Sequence, residues 1–170
     1  MSETADAIMD AAEPRIRGAG YNGFSFREIA HEIGVKSASV HYHFPTKQAL
    51  AAAVARRYTE SVLRAVDMDV ARGEGAVEAW IAAFRRALRN DGRMCLCGAL
   101  GATSRDLPHE VTIEARRFFE LSLSRLTQSG LSEARAMQVI AALEGGMLLA
   151  TALENPEAFE AAAAGLLEQQ

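Results

Sequence analysis

The chain has 170 residues, 49% of them hydrophobic, enough for one large buried core or two small ones. Its 22 acidic and 18 basic side chains leave a net charge of −4, which excludes indiscriminate attachment of the whole surface to nucleic acid. No apolar run reaches the roughly 18 residues needed to cross a bilayer. The acidic, amphipathic start "MSETADAIMDAAEP" does not read as a secretion signal, so a cytoplasmic protein is expected.

Alanine and leucine dominate over β-branched residues, and Gly/Pro clusters are sparse, which predicts an all-α fold. In the first helix Ala5, Ile8, Met9, Ala12, Ile16 and Ala19 recur at helical spacing, with an end near Gly18 or Gly20. Pro14 lies inside it and removes the bond to the Asp10 carbonyl, predicting a kink or an irregular turn. Ser25 and Glu28 form a capping box for the second helix, whose apolar face is Phe26, Ile29, Ala30 and Ile33 and which Gly34 stops. A short third helix is capped by Ser37 and ends before Pro45. Thr46 caps a longer fourth one with the stripe Leu50, Val54, Tyr58, Val62 and Val66.

"ARGEGA", residues 71–76, is the best hinge candidate. Val77, Trp80, Ile81, Phe84 and Leu88 mark another amphipathic helix, which "RNDGR" breaks. "MCLCGALGATSRDLP" is a short, apolar, glycine-interrupted segment. Pro108 fits the first position of a helix carrying Val111, Ala115, Phe118, Phe119, Ser122 and Leu126. Ser132 caps the next, whose Met137–Leu153 stretch is apolar almost all round, and an alanine-rich helix covers Glu157–Leu167. The count comes to about nine helices, without an internal repeat.

The second and third helices carry a specific pattern. Ala30 is small enough for a steep helix crossing, Gly34 permits a tight turn, and Ile29, Ile33, Val35 and Val40 fill the angle, as a helix-turn-helix requires. Projected at 100° per residue, Val40 and Phe44 of the third helix face inward. Ala38, Ser39 and Tyr42 face outward, with His41 and His43 on the flanks. Small, hydrogen-bonding groups suit a major groove, and flanking groups suit its phosphate walls. Lys47, with the amide groups opening the fourth helix, makes a further phosphate seat, and Arg27 can serve likewise. Between Arg27 and Arg57 five basic residues stand against two acidic ones, a local excess that fits a binding face on an acidic protein. His41 and His43, two apart on a helix, do not share a face, so no metal site or cofactor is expected.

"YNGFSFREIAHEIGVKSASVHYHFPTKQAL", residues 21–50, resembles the DNA-binding head of TetR/AcrR-type bacterial transcriptional regulators. The matching features are the Gly-Tyr before the second helix, "REIA…GV", "HYHF" with its proline turn, and the "TK" that opens the fourth helix. The resemblance implies a homodimer on a near-palindromic double-stranded operator, with an effector pocket in the C-terminal half. It implies phosphate contacts from Tyr42, His43 and Lys47 and base reading by Lys36, Ser37 and Ser39. The chain departs from the pattern at two places: relatives often carry lysine one position after Lys36 and an aromatic residue where His41 stands. The expected division is a helix-turn-helix DNA-binding domain, 1–48, and a helical ligand-binding and dimerisation domain, 49–170.

In the second half Cys95 and Cys97 admit three readings: small buried hydrophobes, a thiol switch, or metal ligands with His109. Trp80, Phe84, Met94, Phe118, Phe119 and Met147 recur at helical spacing, as core residues or as the lining of a mostly apolar effector cavity. The pocket or thiol-sensor set is therefore Trp80, Phe84, Met94, Cys95, Cys97, Phe118 and Met147. Glu144, alone in the most apolar helix, is expected to pair with Arg116 or Arg117, or else to project into the pocket. Gly145 and Gly146 each cost a helix about 1 kcal/mol relative to alanine, which close helix approach would offset. A dimer interface through Met137, Ile140, Gly145, Leu148 and Ala161 is expected.

These features point to a ligand-responsive, sequence-specific regulator, not an enzyme. The expected role is that of a repressor released by an apolar small molecule or by thiol modification. Two other classes compete: a small cysteine-dependent helical enzyme, for which no Cys–His–Asp set is visible, and a helical protein-interaction module. Loss of duplex binding on substitution of Tyr42 or Lys47 separates the regulator from both.

Overall fold

The computed structural model describes residues 2–168. Among them are nine α-helices and no strand, with short 3₁₀ turns at Tyr21–Gly23 and Ser104–Asp106. The chain packs as two units. The first runs to Tyr58 and adds Leu96–Arg116; the second comprises Thr59–Cys95 and the chain from Arg117 onward.

The first unit opens with α1, Glu3–Ala19. The Ser2 hydroxyl accepts from the Ala5 amide at 3.3 Å, and Glu3 and Asp6 sit where the helix dipole favours acids. Ala5, Ile8, Met9, Ala12 and Ile16 are buried, as their spacing requires. The helix continues through Pro14 without a break. Buried side chains hold it on both sides of the proline. Arg57 of the fourth helix grips the preceding turn, donating to the Asp6 carbonyl at 3.4 Å and pairing with Asp10 at 2.8 Å.

The second helix, α2, spans Phe26–Glu32. Its capping box is closed: the Glu28 amide donates to the Ser25 hydroxyl at 3.3 Å, and that hydroxyl donates to the Glu28 carboxylate at 2.7 Å. Gly34 has φ +72, and the Val35 amide returns to the Ala30 carbonyl at 2.9 Å, a left-handed helix stop. A Cβ at Gly34 would meet nothing within 4 Å, so the cost of adding one is conformational only. Gly34→Ala is therefore expected to destabilise the protein by about 1 kcal/mol, read as a lower denaturation midpoint with an unchanged helical spectrum.

The third helix, α3, is Ser37–His43. Its cap is Lys36, not Ser37 as expected: the extended Lys36 backbone already presents its carbonyl to the Ser39 amide at 2.8 Å. Ser37 thus becomes the first helical residue. α4, Lys47–Ala71, begins where the Thr46 hydroxyl accepts from the Ala49 amide at 3.1 Å. The unit is completed by α6, Leu96–Gly101, with Leu96, Cys97 and Leu100 buried, and by the start of α7, His109–Gln128. Pro108 stands one place earlier than expected; its carbonyl accepts from Thr112 at 3.1 Å, so it caps the helix. Glu114 of α7 accepts both Nε and Nη2 of Arg56, at 3.0 and 2.6 Å.

The second unit holds the rest of α4 and α7 with α5, Ala76–Asp91, α8, Glu133–Ala152, and α9, Glu157–Leu167. The 71–76 segment forms the turn between α4 and α5, with Gly73 at φ +97. Val77, Trp80, Ile81, Phe84 and Leu88 all point into the core. Trp80, Phe84, Phe118 and Phe119 form a row of rings with successive centroids 6.3, 6.5 and 5.3 Å apart. Of the paired glycines, Gly146 makes the close approach: a Cβ there would lie 3.1 Å from Ala162 and 3.3 Å from the Phe159 ring. A Cβ at Gly145 would meet open space. Arg125 grips Asp67 at 2.8 and 2.9 Å, and Arg85 grips Glu160 at 2.8 and 2.7 Å.

Candidate nucleic-acid interface

The side chains of α3 sort by burial as the projection requires. Val40 is fully enclosed and Phe44 nearly so, against a unit that also buries Phe26, Ile29 and Ala30. Tyr42, by contrast, is 83% exposed. A phenol left in water on a helix rooted by two apolar residues has spare stacking and hydrogen-bonding capacity. The His43 ring meets it edge-on at 5.1 Å. His41, also exposed, packs its ring 4.7 Å from that of Phe26, so α2 steers it. Ser37 and Lys36 are exposed and Ser39 half-buried. Arg27 is exposed on α2 and makes no ion pair among the described residues.

Lys47 is held in a more defined way. Its ammonium stands 4.9 Å from the centre of the Tyr21 ring and 4.6 Å from that of Phe24. Two ring faces fix a cation that would otherwise sweep a wide arc. Partial burial lowers its pKa while Glu28 opposes that shift. Burial, with the nearby charge of Glu110, raises that of the Tyr21 phenol. Glu28 itself is held below the usual carboxylate range by its bonds to Ser25. The acids of α2 are thus engaged: Glu28 with Ser25, and Glu32 in an ion pair with Arg15. Tyr21 and Phe24 were not among the expected site residues. Two aromatics three apart, just before a capped helix, were the available signal.

In the second unit Trp80, Phe84, Phe118, Met147 and Cys95 are buried and Met94 is half-buried. Cys97 falls on α6 in the first unit, so the seven expected pocket residues do not share one unit. Both cysteines are enclosed thiols. Glu144 has no arginine partner, contrary to expectation; neither oxygen finds a hydrogen bond of normal geometry, although both are buried. Burial lifts its pKa from 4.5 to about 7, and the neighbouring Cys95 thiol offsets part of that rise. The apolar surroundings of α8 supply the cause: no cation contributes to its electrostatics.

Of the residues expected at a dimer interface, Met137 and Leu148 are each 56% exposed and Ala161 is exposed. Ile140 is buried within the unit and turns inward, so it cannot face a partner directly. Leu149 and Leu153 extend the exposed apolar surface along α8. No helix among the described residues is long and apolar enough to cross a membrane.

The model of bacterial regulatory proteins of the tetR family matches residues 8–54, which contain α2, α3 and the start of α4. Among solved structures, a TetR transcriptional regulator from Legionella pneumophila is similar with a TM-score of 0.90 and 31% identity, over 99% of this chain and 98% of that one. A TetR-family transcriptional regulator from Agrobacterium tumefaciens gives 0.88 and 27%, over 97% and 96%. Comparison with curated proteins gives no match. The head and these likenesses define a helix-turn-helix, DNA-binding transcriptional regulator. The chain belongs to the TetR family.

Proposed function

We propose that the protein is a homodimeric, ligand-responsive repressor that leaves its operator when a small molecule binds the helical half. The observation that carries the reading is α3: Val40 and Phe44 root it, while Tyr42 stands in water beside a lysine fixed over two rings. The DNA-binding domain is 1–48, with Arg27, Lys36, Ser37, Ser39, His41, Tyr42, His43 and Lys47 at the duplex. The first helical residues read bases, and Tyr42, His43 and Lys47 hold phosphates. Residues 49–170 bind the effector and dimerise. The protein works in the cytoplasm as a transcription factor, and no catalytic role is assigned to Cys95 or Cys97.

Two recognition helices must stand about one DNA turn apart, roughly 34–36 Å, to enter successive major grooves. An effector releases the operator only through a higher affinity for the state in which that spacing is lost. The aromatic row of the second unit supplies apolar side chains for such a site. The thiol branch is the weaker one, because both cysteines are enclosed and a carboxyl beside Cys95 disfavours the thiolate.

Mobility shift on the DNA flanking the protein's own gene tests the proposal, with and without oxidant and apolar ligands. Sharp, salt-sensitive binding that ligand abolishes supports it; absence of duplex binding at low salt defeats it. The dimer is tested separately. Leu148 is exposed on α8, so Leu148→Glu leaves the folded monomer intact but places two like charges in a two-fold interface. Sedimentation is expected to show at least a roughly hundredfold weaker dimer, equivalent to about 3 kcal/mol, with operator affinity falling alongside. A wild-type chain that is monomeric at micromolar concentration would overturn the interface.

A further inference from the structure

Glu144 stands where an apolar helix gains nothing from an acid. Its neighbours along α8 are Ala141, Ala142, Leu143, Gly145, Gly146 and Met147. Both carboxylate oxygens are withdrawn from water without a hydrogen-bond partner. In the ionised form they are acceptors with no donor stronger than the neighbouring Cys95 thiol. In the neutral form the carboxyl hydroxyl has no acceptor, so neither protonation state satisfies the site. The Cys95 thiol beside it offers one weak donor at most. Leucine would fill the volume at lower cost, so an unmatched carboxyl here calls for a partner that arrives from outside. Its chemistry follows from the site. It must bring N–H donors and positive charge to two oxygens, on an apolar body suited to the surrounding helices. α8 packs against α5, which carries the buried Trp80 and Phe84.

We propose that Glu144 is the polar anchor of the effector site, and that the effector is an organic cation, a protonated amine or amidinium on an apolar body. This deepens the reading of the protein as ligand-responsive and rests on it. The ammonium donates to Oε1 and Oε2 of the ionised carboxylate. Any proton held by Glu144 leaves to solvent as the cation binds, so charge is conserved at the site. No covalent bond forms.

The test uses the full-length protein and three probes of equal chain length: n-octylamine, 1-octanol and octanoate. Binding is read by calorimetry near pH 7. A charge-assisted hydrogen bond is worth enough to give octylamine at least about tenfold tighter binding than octanol, with octanoate weakest. Glu144→Gln is expected to close that gap to about twofold, and Glu144→Asp to keep most of it. Calorimetry in two buffers of different ionisation enthalpy should show proton release on octylamine binding in the wild type and none in E144Q. Octanol binding as tightly as octylamine to the wild type overturns the proposal without recourse to any variant. So does an amine preference that survives in E144Q, or failure of all three probes to bind. The regulator reading is judged on the same sample by mobility shift. Intact operator binding without amine preference sinks only the anchor, whereas amine binding by a protein that ignores duplex DNA sinks only the regulator.

Discussion

Lys47→Ala is expected to weaken operator binding by one to two orders of magnitude and to flatten its salt dependence. Each protomer loses one phosphate contact, and a dimer therefore loses two. The slope of log affinity against log salt should shrink by about 0.9 for each, close to 2 in all. Lys47→Arg keeps the charge and should keep most of the slope. The structure adds a sharper comparison, because the ammonium is seated over Tyr21 and Phe24. Tyr21→Ala leaves the charge in place but removes one of its two ring faces. The loss should be smaller, roughly two- to fivefold per protomer from a cation–π contact of about 0.5–1 kcal/mol, and the salt slope should stay unchanged. Affinity titrations across a salt series separate the roles: one residue supplies the charge, the other positions it. Equal slopes for wild type and Lys47→Ala would remove Lys47 from the phosphate contacts.

Local rules carried most of the fold. Ser25, Thr46 and Ser132 each accept the amide bond that their positions promised, and Gly34 takes the left-handed conformation that ends α2. Such features depend on neighbours three or four residues away, which a sequence displays directly. The caps of α3 and α7 missed by one residue, and the larger misses depended on residues far apart in the chain. Arg57 reaches the turn before Pro14 from more than forty positions away, a contact that local spacing does not display. The Lys47 cradle joins the start of α4 to aromatics ahead of α2, a meeting that helical periodicity cannot foresee. Ile140 lies in a helix apolar almost all round, so no pattern told its inward face from the outward one of Met137 and Leu148. Gly145 and Gly146 differ for the same reason: only the position of α9 decides which one is crowded. For Glu144 a generic rule, that buried acids find arginines, suggested the wrong partner.

That carboxyl sets the second large effect, a dependence of stability on pH. Its pKa is about 4.5 in the unfolded chain and about 7 in the folded one, raised by burial. The folded state thus holds the proton more tightly. Between those values the unfolded chain binds fewer protons than the folded one, so stability falls as pH rises through this window and levels off above it. A shift of this size corresponds to a loss on the order of 3 kcal/mol once both states are ionised. Glu144→Gln removes the titration while nearly preserving shape. Its unfolding free energy should match the wild type near pH 5 and exceed it at pH 8 by up to about 3 kcal/mol, in urea titrations at fixed protein concentration. Plotting the difference between the two proteins against pH cancels the titrations they share. Asp67 and Glu160, whose pKa values are lowered by Arg125 and Arg85, act with the opposite sign and at lower pH: their stabilisation is lost as pH falls. A flat difference between pH 5 and 8 would mean that Glu144 keeps a cation or water beside it in solution. A difference that rises with pH, and that octylamine suppresses, would join the stability of the fold to the chemistry of its effector.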